Sequence, residues 1–346
     1  MEQAKKNRTI IEKVVGYWHK KPLVSTACVL LLMVILQTIA LGFDFPSFGD
    51  WLSNWGKNWL NILRNNAGIG IIALGMTLVI VSGGIDLSVG SVTVAVGAVL
   101  MVMINALPDG VLTSAGITGL PAAVIGIIAA LAVGIAIGGI NGFLISKCGL
   151  PAFIATLGMM KICRSVTQHC MQTNIVKVPA DFLLISNAKI GGEMVLPILY
   201  WIVAVIIIGI VAKMTPYGRQ LYAVGSNERS AHLAGVRVER VKLLVYMISG
   251  LMVAIAAVMQ VSRLGSMDYA NAGEGYEMDA ISAAVVGGAS MSGGCGSVLG
   301  TVMGTLIIAV MNNLLNLLGV PPFLREAFKG LIVIVAVLLQ RKEKSL

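Results

Sequence analysis

Residues 81–91 read VSGGIDLSVGS, and they place Asp86, Ser88 and Ser91 between two strongly apolar stretches, 67–80 and 92–107. Gly83 and Gly84 let a helix unwind there, and the carboxylate and hydroxyls can bond the backbone groups this frees. A carboxylate deep in a bilayer is disfavoured by at least ~2.5–3.5 kcal/mol, so it needs a partner or water beside it. Two chemistries fit. Asp86 can cap a helix beginning at Leu87 from the edge of the membrane, or it can line a polar path through it. Asn105, Asn141, Asn312, Asn313 and Asn316 are further amides in apolar surroundings, and Asn312 and Asn316 in VMNNLLNLLG share a helical face. Interhelical hydrogen bonds of about 0.6 kcal/mol each explain such residues. So does a neutral, hydrogen-bonding lining suited to polyols rather than ions.

A weak internal repeat places the glycine break twice. At an offset of 210, SGGIDLSVGSV (82–92) meets SGGCGSVLGTV (292–302), so Gly83 and Gly84 fall on Gly293 and Gly294. Glycine-interrupted apolar segments at matching positions in two halves point to a transport pathway at the repeat interface.

The elements that must position these residues are membrane helices. Of 346 residues, 57% are hydrophobic and 12% charged, against about 25% charged in an ordinary soluble domain; the mean hydropathy is +0.89. The predicted fold class is an all-α polytopic membrane protein. The spans fall at 22–42, 67–82, 87–107, 119–146, 150–163, 194–214, 243–262, 280–292, 297–318 and 327–340. Several are short for the ~20 residues of a full crossing, so broken or re-entrant segments are expected among about ten. Lysine and arginine crowd residues 5–21, 213–242 and the tail RKEK, whereas 263–279 carries Asp268, Glu274, Glu277 and Asp279 against Arg263. An even span count then puts both termini and 213–242 in the cytoplasm and 263–279 outside. The domains are a basic N-terminus (1–21), one transmembrane domain (22–340) and a short tail (341–346). The net charge of +9 belongs to this membrane asymmetry and gives no reason to expect nucleic acid. The apolar run after the basic N-terminus is longer than a signal-peptide core and reads as a retained first span.

Trp51, Trp55 and Trp59 lie four apart and predict an interfacial helix ahead of the second span; a carbohydrate-stacking stripe is the sharper alternative. The cytoplasmic stretch 215–242 is patterned rather than a plain connector. In GSNERSAHLAGV, Ser226 as a cap, then Glu228 and Arg229, then Gly235 as a stop describe a short exposed helix shaped for a partner's groove. No phosphate-binding GxxxxGK[ST], HExxH or Ser–His–Asp set occurs, and the five cysteines and three histidines show no metal-ligand spacing. A membrane enzyme is therefore disfavoured. A secondary transporter or channel would call for more paired ionisable residues in the spans than Asp86 alone.

Five long stretches carry a resemblance: NILRNNAGIGIIALGMTLVIVSGGIDLSVGS (61–91), INGFLISKCGLPAFIATLG (140–158), YGRQLYAVGSNERSAHLAGV (217–236), GYEMDAISAAVVGGASMSGGCGSVLG (275–300) and NNLLNLLGVPPFLREAFKGLIVI (312–334). The sequence resembles the permease subunits of bacterial monosaccharide ABC importers. The resemblance implies pairing with a second permease copy or paralogue, a cytoplasmic ATPase that binds ATP and Mg, and a periplasmic or lipid-anchored sugar-binding protein. It makes 226–236 the ATPase-coupling element, with no cofactor on this chain itself. The chain departs from the family in MMKICRSVTQHCMQTN (159–174), where Arg164 is followed by Ser165, and in GGCG, where Cys295 replaces an arginine.

Overall fold

The computed structural model describes residues 22–42, 46–108 and 110–342; the basic N-terminus and the last four residues lie outside them. Among the described residues the chain is helical, with no strand beyond the single bridge of Ile190 and Glu193. The helices are α1 (Pro22–Leu41), α2 (Phe48–Val81), α3 (Val89–Met103), α4 (Val111–Ser114), α5 (Gly119–Ser146), α6 (Ala152–Met171) and α7 (Ala180–Asn187). There follow α8 (Leu196–Met214), α9 (Pro216–Ser226), α10 (Glu228–Leu233), α11 (Val238–Leu264), α12 (Tyr276–Val286), α13 (Val298–Leu317) and α14 (Pro322–Lys342). Six of them, α1, α2, α5, α8, α11 and α13, are long and apolar enough to cross a membrane singly. The shorter or more polar α3, α6, α12 and α14 fall where the remaining spans were expected.

The tryptophan helix and the second span form one continuous helix, α2, instead of two. Its rings follow one another, Phe48–Trp51 and Trp51–Trp55 stacked with centroids 5.7 and 6.5 Å apart and Trp55–Trp59 tilted at 5.9 Å. The Trp51 indole donates to the Gly42 carbonyl (3.0 Å) and Trp55 to Thr38 Oγ1 (3.1 Å), so the stripe fastens α1 to α2. α6 runs on to Met171 through the segment that departs from the family pattern, whereas α12 stops at Val286, short of its expected end.

At the centre, α11 packs against α5, α2 and α3. Gly134, Gly138 and Gly142 on α5 make that approach possible: a methyl at Gly138 would sit 2.2 Å from the Tyr246 carbonyl oxygen. Small residues four apart are a usual device for close helix contact in lipid.

The acidic connection after α11 is not a loop lying free at the surface. It folds back along α3, so that Met267 touches Gly97 and Gly273 touches Gly90, where a methyl would lie 2.1 Å from the Gly273 carbonyl oxygen. Non-helical backbone packed against a helix needs hydrogen-bond partners of its own. Arg164 on α6 supplies them, donating from Nη1 to the carbonyls of Ala270 (3.2 Å) and Ala272 (2.7 Å).

Candidate functional site

α2 ends in a complete glycine stop. Gly83, at φ +84°, lets its N–H reach the Ile80 carbonyl (2.9 Å) while Gly84 N–H reaches that of Val79 (3.0 Å). This pair of bonds satisfies carbonyls that the helix end would otherwise leave open. The chain then turns through Ile85 and Asp86 and starts α3 at Val89, two residues later than Leu87, with Ser88 as the flanking residue.

Asp86 is 3% exposed. Its Oδ1 accepts from Ser88 N–H (3.0 Å) and Ser88 Oγ (2.6 Å), and its Oδ2 accepts from Ser249 Oγ on α11 (3.1 Å). Asn141 on α5 donates from Nδ2 to Ser88 Oγ (3.0 Å), and Tyr246 on α11 donates to the Ile85 carbonyl (3.2 Å). The break is thus held from two neighbouring helices. Ser249 lies eleven residues beyond Val238, about 16 Å along a helix of roughly 40 Å. The carboxylate is therefore buried inside the protein, a little under halfway along α11 from its N-terminal end. Asn141 Oδ1 is buried with no hydrogen-bond partner.

Of the other amides in the predicted lining, none joins this cluster. Asn105 ties the end of α3 to 175–177, accepting from Lys177 N–H (2.9 Å) and donating to the Ile175 carbonyl (3.3 Å). Asn316 is exposed and accepts from Arg325 Nη2 (2.9 Å), while Asn313 pairs with Asn58 on α2. Asn312 Oδ1 is buried without a partner.

The second break spans 287–297. There the helix stop is Gly288, at φ +92°, with Gly288 N–H on the Val285 carbonyl and Ala289 N–H on that of Ala284 (both 2.9 Å). The structural counterpart of Gly83 is thus Gly288 rather than Gly293, because this break is the longer one. Gly293 and Gly294, both at positive φ, do something else: they meet the first break. Gly294 N–H donates to the Val81 carbonyl (2.9 Å), and a methyl on Gly293 would touch Gly83 Cα at 3.0 Å. Nearby, the Thr77 and Thr301 hydroxyls bond each other at 2.6 Å.

α10 follows α9 with one residue between them. That residue, Asn227, caps α10, its Oδ1 accepting from Ser230 N–H (2.8 Å); Ser226, the cap expected from sequence, is the last residue of α9 instead. Glu228, Arg229 and Ser230 are exposed, and Glu228 pairs with Lys242 on α11 (2.6 Å). Gly235 at φ +84° ends the turn. A cavity of about 810 Å³ lies between α10, the end of α5 and the start of α11, with Ser82, Gly84, Glu228, Arg229, Lys242 and Tyr246 among its walls.

The sequence reading did not single out Ser249, Tyr246 or Thr301, whose small or aromatic side chains look like ordinary helix residues until α11 and α13 are placed. It also counted Asp86 alone among paired ionisable groups. In the structure Lys329 on α14 meets Asp279 on α12 (3.0 Å) and Glu326 (2.9 Å), with the Lys329 and Asp279 side chains 12% and 13% exposed. Lys329 lies about 10 Å into α14. Among the described residues no group of histidine, cysteine or carboxylate side chains is placed to hold a metal ion.

Comparison with known proteins converges on one assignment. Residues 58–337 match the family described as branched-chain amino acid transport system / permease component. The chain is 37% identical to the ribose import permease protein RbsC of Escherichia coli (strain K12), over 92% of this chain and 94% of that protein. It is 39% identical to the protein of the same name from Bacillus subtilis (strain 168), over 91% and 92%. The fructose import permease protein FrcC of Rhizobium meliloti is 33% identical, over 96% and 88%. No solved structure matches. With a membrane-spanning helical fold, two glycine breaks that meet each other and a match running through four-fifths of its length, the chain belongs to this family of transport-system permease components.

Proposed function

We propose that this protein is the membrane permease subunit of a bacterial ABC importer for a monosaccharide or a related small polyol. The observation that carries the reading is similarity over nine-tenths of the chain to permeases named for ribose import, and over nearly all of it to one named for fructose import. The buried groups at the break favour the same substrate class. Amide and hydroxyl side chains, Asn141, Ser88 and Ser249, surround a single carboxylate whose oxygens are already occupied, which suits neutral hydroxyl-rich solutes better than ions.

The assembly would contain a second permease copy or a paralogue. A separate cytoplasmic ATPase would bind ATP and Mg, and a periplasmic or lipid-anchored sugar-binding protein would deliver substrate. The chain carries no phosphate loop of its own, so the ATPase docks from outside it. The exposed α10, with Glu228, Arg229 and the Gly235 stop, is the element offered to that partner, and Ser226 leads into it. On this reading both chain termini and 213–242 face the cytoplasm, in keeping with the basic residues there.

Co-expression with a cognate ATPase and sugar-binding protein tests the assignment. Uptake of radiolabelled ribose, fructose and other monosaccharides should require all three components. Sugar uptake that persists without the ATPase would instead support a secondary transporter or channel, a reading to which the buried Asp279–Lys329 pair gives some weight.

A further inference from the structure

α9 and the two helix breaks meet in a contact that leaves no room for a side chain. A methyl group on Gly225 would lie 1.7 Å from the Val81 carbonyl oxygen and 2.6 Å from Gly294 N. Those are the two atoms of the hydrogen bond that joins the first break to the second. On the other side, a methyl on Gly294 would lie 2.5 Å from Ser226 Oγ, and one on Gly293 would lie 2.6 Å from the Gly225 carbonyl oxygen. Tyr222, one turn earlier on α9, donates to the Gly296 carbonyl (2.9 Å). The end of α9 is therefore wedged against both breaks at once.

The same end of α9 leads straight into α10. Asn227 closes one helix and caps the next, with its own N–H on the Ala223 carbonyl (3.1 Å) and its side chain on Ser230 N–H. Only Ser226 and Asn227 separate Gly225 from Glu228, a reach of at most about 10 Å. With both ends of Asn227 bonded, a displacement of α10 has little slack before it arrives at Gly225. Packed contacts of this kind switch between discrete arrangements rather than yielding gradually.

We propose that the contact of Gly225 with Val81 and with Gly293–Gly294 passes movement of the ATPase-docking helix to both helix breaks, with Gly225 as the positioning residue and with the two breaks shifting relative to each other. This rests on the assignment of α10 as the ATPase-docking element. Absence of a side chain at 225 is what allows the carbonyl of Val81 and the amide of Gly294 to meet beneath α9.

The Thr77–Thr301 hydroxyl pair is a built-in reporter of that shift, since side chains this close can be bridged by a disulfide. Thr77→Cys and Thr301→Cys are introduced together in a chain whose five native cysteines are replaced by serine, and the chain is assembled with its ATPase. The rate of oxidative cross-linking is compared without nucleotide and after trapping with Mg-ATP and vanadate. The expected result is a several-fold difference between the two states, lost when Gly225→Ala is added. Equal rates in the parent chain would overturn the proposal, as would a difference that survives Gly225→Ala. Should Gly225→Ala fail to fold, Tyr222→Phe takes its place, removing the hydroxyl that α9 donates to the Gly296 carbonyl: it should narrow the difference, and a difference left unchanged would overturn the proposal. Failure of the docking assignment looks different: the ATPase would co-purify as well with a Glu228→Arg chain as with the parent.

Discussion

Replacing Asp86 by asparagine and by alanine separates the two chemistries open to its carboxylate. Both substitutions remove the charge, so they share whatever is gained by no longer burying it, and the comparison between them isolates the hydrogen bonds. Asparagine keeps an acceptor for Ser88 N–H and Ser88 Oγ, and its amide can donate to Ser249 Oγ once that hydroxyl turns. Alanine keeps none of these. The Ser249 hydroxyl has a fallback in the carbonyl one turn earlier, but the buried Ser88 N–H does not. Losing neutral hydrogen bonds at ~0.5–1.5 kcal/mol each, and stranding one buried donor at ~1–3 kcal/mol, places Asp86→Ala about 2–4 kcal/mol below Asp86→Asn in stability. Thermal denaturation of the two purified variants should therefore differ by several degrees. Uptake by cells carrying the ATPase and binding protein should be largely retained in Asp86→Asn. Equal loss of stability in both variants would refute the hydrogen-bond argument. A well-folded, fully assembled Asp86→Asn permease without uptake would refute the cap and give the carboxylate to the pathway.

Other expectations follow from the same geometry. Glu228→Arg should leave folding intact, because the exposed pair with Lys242 is worth at most ~1 kcal/mol, yet abolish ATPase co-purification and uptake; an unchanged yield of complex would count against the docking helix. A cysteine at the exposed Ser230 should react with an impermeant thiol reagent only after the cytoplasmic face is opened, and labelling of intact cells would reverse the orientation. Lys329→Met alone should lower stability by ~3–5 kcal/mol by leaving Asp279 buried and unpaired, and Asp279→Asn with Lys329→Met should recover most of it. A double variant no better than the single would show that the pair is not what the site depends on. Gly90→Ala should sharply reduce folded protein, since its methyl meets the Gly273 carbonyl at 2.1 Å; normal yield would argue that 265–275 does not return along α3.

Much of this fold is legible in the sequence because lipid imposes a strong, one-dimensional signal. Runs such as 119–146 and 298–317 read out to within a residue or so, and Gly235 is recognisable as a helix stop because few residues other than glycine accept its φ of +84°. Three features were not legible for a common reason: each depends on what a distant segment supplies. Nothing in 48–64 says whether an interfacial helix will merge with the span after it, since the answer lies in Thr38 and Gly42 taking the indole N–H groups of Trp55 and Trp51. The acidic stretch 263–279 reads as a surface loop by charge, and Arg164, more than a hundred residues earlier, takes two of its carbonyls where it runs along α3. Lys329 sits beside Glu326 in an ordinary amphipathic pattern until α12 brings Asp279 against it.

The repeat shows how a correct signal can carry the wrong correspondence. The offset of 210 aligns identical letters, SGG with SGG, but the two glycine pairs do different work. Gly83 closes a helix by adopting positive φ beside its own last turn. Gly293 and Gly294 lie beyond a helix already closed by Gly288, and they adopt positive φ so that backbone can meet backbone across the break. Letters alone do not distinguish these uses, because glycine is selected in both by the absence of a Cβ. What distinguishes them is the partner: Gly83 bonds within its own turn, whereas Gly294 donates to Val81, more than two hundred residues away. The longer second break is what gives Gly293 and Gly294 the reach to do so. The asymmetry between the halves is therefore tied to the contact beneath Gly225. A strictly equivalent second break, ending at its own stop, would leave the Val81 carbonyl without a partner and α9 with only one break to press upon.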